Sequence, residues 1–407
     1  MQSPVPAAGP LRGVRVIDLT HMLAGPYATM LLADFGAEVV KIEPHQGEFI
    51  RRSGPFVSEQ DAYGGYFASV NRNKSSMCMD LKSPEGREIF LKLVASSDAL
   101  IENFRVGVME RLGFPFEFLR EVNPRLVYGC IRGFGDPRTG RSPYVEWPAY
   151  DVIAQAMGGL MEITGEPDGQ PMKTGPGLGD IFPASLLVNG VLAALLDARS
   201  TGKGRFVDVA MYDAMVSLCE RLVYQHSFTG EVPTRLGNAH PFFAPFGIYH
   251  AKDGWIAIAA PSDELWETLA TIMGRSDLTG DHPFARSVER TAARDEIVGL
   301  VSDWTALHTV DALKELLGGR IPFGPVQTVE QIVTDEHVAA RRMVREMAHP
   351  ASGARVHIAG QPVKFDTPYE AEPSAAPLLG ADTDRILADL GYRPDDIRGF
   401  REKGVTR

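Results

Sequence analysis

The chain has 407 residues, 44% hydrophobic and 23% charged, a globular composition with room for two domains or one elaborated α/β domain. A formal net charge of −11 without any basic stripe argues against a nucleic-acid partner. The absence of an apolar run of spanning length argues against a membrane one. The opening MQSPVPAAGP lacks both a basic start and an apolar core, and reads as a loose tail. Val14–Leu19 then forms a short β-rich run, and Ala24-Gly25-Pro26 opens a helix that continues through Met30, Leu31, Leu32 and Phe35 until Gly36 stops it. Glu38–Glu43 is a second strand, so the chain begins with a βαβ unit of a parallel sheet. A helix from Pro84 through Val94 leads to a strand at Ala99–Asn103, and Leu126–Ile131 reads as another strand.

This alternation predicts an α/β fold, a Rossmann-like doubly wound parallel sheet. Residues 228–250 are rich in Gly, Pro and Asn and suit a crossing between domains. Beyond them Trp255–Ala259 alternates like a strand, and helices are expected around 263–274, 289–307 and 309–318. These make a smaller α+β domain. The predicted division is therefore 1–227 plus 321–407 for the large domain and 228–320 for the small one, with a charged, helical tail at the end.

Three cysteines, Cys78, Cys130 and Cys219, are widely spaced, which argues against a disulfide framework and suits a reducing cytoplasm. Ten histidines never adopt paired-ligand spacing, so no metal is expected, and no GxSxG elbow occurs. The first βαβ unit lacks the glycine fingerprint of a dinucleotide site, although Glu43 stands where a ribose-binding acid would. Thr201-Gly202-Lys203-Gly204-Arg205 lacks the upstream glycine of a phosphate loop and reads as a tight turn before the strand Phe206–Val209. Asn71–Ser75, Arg105 and Arg111 carry cations near predicted strand ends, where they suit either solvent or an anionic phosphorylated ligand.

The segment with most chemical content is Gly175-Pro176-Gly177-Leu178-Gly179-Asp180, a glycine turn running into an apolar helix. Asp180 there is at or near a helix N-terminus, where the macrodipole favours a carboxylate. The segment alone is satisfied by an N-cap after a turn; the alternative is a nucleophile beside bare backbone.

Taken in order, Leu11–Thr20, Ala24-Gly25-Pro26, Leu32–Glu43, Asn71–Ser75, Glu102–Arg105, Gly179-Asp180, Thr201–Gly204, Gly237-Asn238 and Pro322–Val326 resemble the class III CoA-transferases, the group with formyl-CoA:oxalate and carnitine CoA-transferases. The resemblance implies an interlocked homodimer, with coenzyme A as substrate and product and no tightly bound cofactor. It makes Asp180 the nucleophile, and it places Met22, Leu23, Lys74, Asn103, Phe104, Arg111 and Leu112 on the CoA pocket. Tyr150 and Asp151 fall near the acyl group. The chain departs from the family in having Val106 after Arg105 where proline is frequent. It also has Leu23 where some members have glutamine, and 238–244 where some carry a glycine run that shields the intermediate. The implied activity moves CoA from an acyl-CoA such as succinyl-CoA to a carboxylic acid; Arg235 and His240 suit a dicarboxylate acceptor or are ordinary surface groups, and Tyr150, Phe242 and Phe243 equally suit a larger or aromatic acid. The rival of the same fold, an α-methylacyl-CoA racemase, has a histidine before the aspartate where this chain has Tyr150-Asp151. A tyrosine near pKa 10 is a poor base at neutral pH.

Overall fold

The computed structural model describes residues 9–366 and 374–407, so most of the expected N-terminal tail lies outside the described residues. Six strands, β1 (Arg15–Asp18), β2 (Glu38–Glu43), β3 (Ser75–Cys78), β4 (Ala99–Glu102), β5 (Val127–Arg132) and β6 (Phe206–Ala210), form one sheet in the order β3-β2-β1-β4-β5-β6. Every neighbouring pair is parallel. Alternate residues of β1, β2, β4 and β5 enter different cores. Val16, Val39, Ile101 and Val127 pack with helix α1 (Ala24–Asp34) and the Leu178–Thr201 helix. Ile17, Val40, Leu100 and Tyr128 pack with the Pro84–Ala95 helix and with Ile386 and Ile397 near the C-terminus.

Local chemistry sets the element ends. Pro84 occupies the first turn of its helix while the Ser83 hydroxyl accepts from the Gly86 N–H at 3.1 Å. Gly25 is required where α1 leaves β1, because a β-carbon there would come within 2.3 Å of Thr20 Cβ. The turn at 201–204 links the Leu178–Thr201 helix to β6 as expected, with Gly202 at φ 71° closing the helix.

The expectation that no apolar run reaches spanning length is corrected by Leu178–Thr201, which has the length and apolarity of one. It is the core helix of the sheet, burying Leu187, Val188, Val191, Leu195 and Ala198. Cys78, Cys130 and Cys219 are buried and unpaired.

The chain divides into two compact units, one of 1–160, 174–223 and 337–407, the other of 161–173 and 224–336. The second unit is built on an antiparallel sheet, β7 (Phe246–Ala251), β8 (Gly254–Ala259) and β9 (Phe323–Pro325), in that order. Its core joins Tyr249, Ile256 and Ile258 to Trp266, Leu269, Ile297, Val301 and Leu313 from three helices. The second unit extends to 336, past the expected 320, because β9 completes this sheet, and 161–173 belongs to the same unit. The C-terminal part returns to the first unit with a hairpin, β10 (Val344–Ala348) and β11 (Arg355–Ala359), and the helices Thr383–Asp389 and Pro394–Glu402.

Candidate active site

The strand order reverses between β1 and β4, the topological switch point at which open α/β sheets bind ligands. A cleft of about 390 Å³ opens there. Its walls include His21 and Met22 after β1, Asn103, Phe104 and Arg105 after β4, Arg111, Arg132 at the end of β5, Trp147 and Tyr150, and Asp180. The turns after β1 and β4 are pinned together: Asn103 Oδ1 accepts from the His21 N–H, and Asn103 Nδ2 donates to the His21 carbonyl, both at 2.8 Å. The Phe104 ring packs edge-on to the His21 imidazole, with centroids 5.2 Å apart. Burial, followed by the nearby Lys41 ammonium, lowers the His21 pKa, so its ring is neutral at pH 7.

Asp180 is the third residue of the Leu178–Thr201 helix and is half-buried. It is not the cap of that helix. The flanking Gly177 has no side chain to offer, and the capping oxygen comes from Asp151, whose Oδ1 accepts from the Gly179 N–H at 2.8 Å. Asp151 begins its own helix, Asp151–Met157, and its Oδ1 also accepts from Gln155 Nε2 at 2.8 Å. The Gln155 oxygen in turn takes the Thr174 N–H and hydroxyl, each at 3.1 Å. This chain of bonds fixes the glycine turn. The two helices meet so closely at Gly179 that a β-carbon would lie 2.7 Å from the Asp151 carbonyl oxygen.

Several expected site residues therefore share the cleft: Met22, Asn103, Phe104, Arg111, Tyr150 and Asp180. Leu23 lies against the glycine turn, its Cδ2 within 3.0 Å of where a Gly177 β-carbon would stand. Asp151 caps the helix at that turn and is not among the cleft-lining residues, and two others lie elsewhere. Lys74 is fully buried and its ammonium is spent on Asp18 Oδ2 at 2.9 Å, Asn71 Oδ1 at 2.8 Å and the Pro26 carbonyl at 3.0 Å. It braces β1 against α1 and is not on the cleft wall. Leu112 packs against the apolar core behind Arg111, and its carbonyl accepts from Arg87. Glu43, at the position of a ribose-binding acid, is buried and paired to Arg51 at 2.5 Å.

The cations divide in the same way. Arg132 is buried and bound to Glu102 at 2.7 Å, Asp136 at 3.1 Å and the Phe104 carbonyl at 2.6 Å, so it shapes the loop after β4. Arg105 and Arg111 are exposed at the cleft, and among the described residues neither is held in an ion pair. They are the cations left for an anionic ligand. Replacing both with alanine is expected to raise the KM for an acyl-CoA at least tenfold, with kcat changed much less, and to flatten the dependence of KM on ionic strength. Initial rates at several salt concentrations check this.

Two residues of this neighbourhood carry no recognisable sequence signal. Tyr66, on the Gly65–Asn71 helix, is pushed up to about 12 by burial and then by the charges of Asp180, Glu48 and Asp151. Its phenol is thus protonated at all physiological pH. Glu48 is buried and accepts the Met22 N–H at 2.9 Å.

In the second unit, a separate cleft of about 460 Å³ is lined by Gly237, Asn238, His240, Phe246, Ile258 and Phe323 among others. The His240 ring stacks on Phe243 with centroids 4.8 Å apart. Arg235 is bound to Glu162 at 3.1 Å. Among the described residues no group of three or more His, Cys, Asp or Glu is placed to hold a metal ion.

An Asp-bearing helix start and two uncommitted arginines at the switch point describe an α/β enzyme acting on an anionic ligand. The sequence model of CoA-transferase family III matches residues 11–383. Over 385 residues the chain is 49% identical to succinyl-CoA:mesaconate CoA-transferase of Haloarcula hispanica, covering 94% of this chain and 97% of that one. It is 35% identical to succinate–glutarate CoA-transferase of Agrobacterium fabrum, covering 94% and 96%. A CAIB/BAIF family protein from Brucella suis superposes with a TM-score of 0.81 at 34% identity, covering 94% of this chain and 99% of that one. The chain belongs to CoA-transferase family III and is an enzyme of that class.

Proposed function

We propose that this enzyme carries CoA from succinyl-CoA to a second short dicarboxylate through covalent intermediates on Asp180. The observation that carries the reading is the half-buried Asp180 in one cleft with Met22, Asn103, Phe104 and Arg111, its helix capped by another residue. The capping oxygen of that helix is thus supplied by Asp151. The dicarboxylate preference rests on the names of the relatives in Haloarcula and Agrobacterium.

An Asp180 carboxylate oxygen attacks the thioester carbonyl, the C–S bond breaks, and CoA leaves as the thiolate. The thiolate then attacks the Asp180 carbonyl of the mixed anhydride, releasing the donor acid as a carboxylate and leaving an aspartyl-CoA thioester. The acceptor carboxylate attacks that thioester, giving a second anhydride and the thiolate once more. Attack of the thiolate on the acceptor's acyl carbonyl yields the new acyl-CoA and restores Asp180. No proton is gained or lost over the cycle. The protein's task is to align the reactants and to keep water from the anhydride. The N-terminal N–H groups of the Leu178–Thr201 helix favour negative charge on the reacting oxygen.

Homodimerisation fits the exposed apolar surface. Leu196 is 69% exposed, Val216, Leu218 and Val223 also face solvent, and the Glu220–Thr229 helix buries none of its residues. A lone chain seldom leaves so much apolar surface uncovered. The interlocked form is the arrangement proposed.

The test is a panel of acyl-CoA donors crossed with carboxylic acids, read by mass spectrometry. Succinyl-CoA with a four- or five-carbon dicarboxylate is expected to give exchanged thioester. A panel without exchange, coupled with α-deuterium uptake from heavy water into a 2-methylacyl-CoA, would favour the racemase.

A further inference from the structure

The geometry points to Glu48 as a positioning residue for transfer: its buried carboxylate, neutralised by Lys41, holds the Met22 amide and so fixes the left-handed turn that forms part of the cleft wall beside Asp180.

Met22 has φ 67°, one of three non-glycine residues with positive φ among the described residues. That region crowds a β-carbon against the backbone, so a methionine remains there only where its surroundings impose the conformation. The constraint is visible bond by bond. Thr20 is held from below, its N–H and hydroxyl on Asp18 Oδ1 at 2.8 and 2.5 Å and its carbonyl on Lys41 Nζ at 2.7 Å. His21 is held on both sides of its backbone by Asn103. The Met22 N–H is tethered by a 2.9 Å bond to Glu48 Oε2. Two residues later α1 begins, and Ala24 lines the same cleft.

Glu48 is suited to this task and to no exposed one. Its side chain is fully buried, and its second oxygen meets Lys41 Nζ, also fully buried, at 2.7 Å. Its own N–H is fixed on Glu43 Oε1 at 3.1 Å. The Lys41 ammonium is ion-paired with one oxygen of this carboxylate, while the other oxygen accepts the Met22 N–H. An unpaired buried carboxylate would be costly in this setting, and the ion pair with Lys41 offsets that cost. Glu48 also adds to the negative field at Tyr66 together with Asp180 and Asp151. It therefore belongs electrostatically to the same neighbourhood without lining the cleft.

The inference rests on the transfer reading, and a double-mutant cycle with Met22 tests it separately. Glycine adopts positive φ freely, so Met22→Gly keeps the turn without needing the tether. Glu48→Ala is expected to lower kcat for CoA exchange at least tenfold with KM for the acyl-CoA within about threefold of wild type. In the Met22→Gly background the same substitution is expected to cost less than threefold. A residue that only stabilised the fold would cost the same factor in both backgrounds, and that result overturns the proposal, as does wild-type kcat in Glu48→Ala. Hydrogen exchange of the wild-type enzyme gives an answer even where Glu48→Ala fails to fold. The Met22 amide is expected to be protected as strongly as a core strand amide, and exchange at the rate of an open loop rejects the tether. A wild-type enzyme without exchange activity would sink the transfer reading, while the amide protection still decides whether Glu48 holds the turn.

Discussion

Asp180→Asn is expected to lower CoA exchange by about 10⁴-fold or more, with the folded state and the affinity for acyl-CoA little altered. Asparagine has the shape of aspartate and the same place at the third position of the helix, but its amide has no oxygen lone pair nucleophilic enough to open a thioester. The fold tolerates the change because the helix end does not depend on Asp180: Asp151 already accepts the Gly179 N–H. A carboxylate that only served the helix dipole would contribute about 0.3–1 kcal/mol of stability and nothing to turnover. The two roles thus predict opposite results in two simple measurements, thermal unfolding and initial rate. A second line uses the wild-type enzyme. Incubated with an acyl-CoA and then hydroxylamine, it is expected to lose activity and to carry a hydroxamate on the peptide containing Asp180. Exchange within tenfold of wild type in the asparagine variant, or a hydroxamate on another residue, would remove Asp180 from the mechanism.

The parts of this arrangement that follow from hydrophobic pattern were legible in the chain. Short β-rich runs such as Glu38–Glu43 and Leu126–Ile131 bury both faces of a strand between helices, so pattern alone located five strands of the parallel sheet, while β3 (Ser75–Cys78), whose two serines dilute the apolar run, was missed. The resemblance then brought Met22, Asn103, Phe104, Arg111 and Asp180 to one place. Pattern was silent on which polar group meets which. Lys74 and Arg111 are both cations in loops near strand ends, yet one is fully buried on Asp18 and the other is open at the cleft. That difference is set by packing of β1, β3 and α1 against one another, which involves residues 56 positions apart. Glu48 and Tyr66 were missed for the same reason: each lies in a segment of no marked periodicity, and their relation to Met22 and Asp180 exists only once the sheet is assembled. Phe323–Pro325 read as a return to the large domain because three residues are too few to announce a strand.

Lys74 supplies the second large effect, and it concerns stability where the resemblance placed ligand binding. Lys74→Met is expected to destabilise the fold by about 3–5 kcal/mol, because it leaves the fully buried Asp18 carboxylate without its nearest cation. The KM for acyl-CoA of the folded enzyme is expected to stay within about twofold, since the ammonium is spent on three protein oxygens. The pH dependence separates this from a general loss of packing. In the wild-type enzyme burial pulls the Asp18 pKa up, but Lys74 and then Lys41 outweigh it and hold the carboxyl well below its ordinary 3.8. A carboxyl held low in the folded state contributes stability that is present above 3.8 and is lost as pH falls below it. Without Lys74 the desolvation of Asp18 gains the upper hand, the folded protein takes up a proton sooner than the unfolded chain, and acid then narrows the deficit. Urea unfolding from pH 7 down to pH 4 is therefore expected to show the gap between wild type and Lys74→Met shrinking. A constant gap would mean that the loss is steric, and wild-type stability with a raised KM would return Lys74 to the ligand.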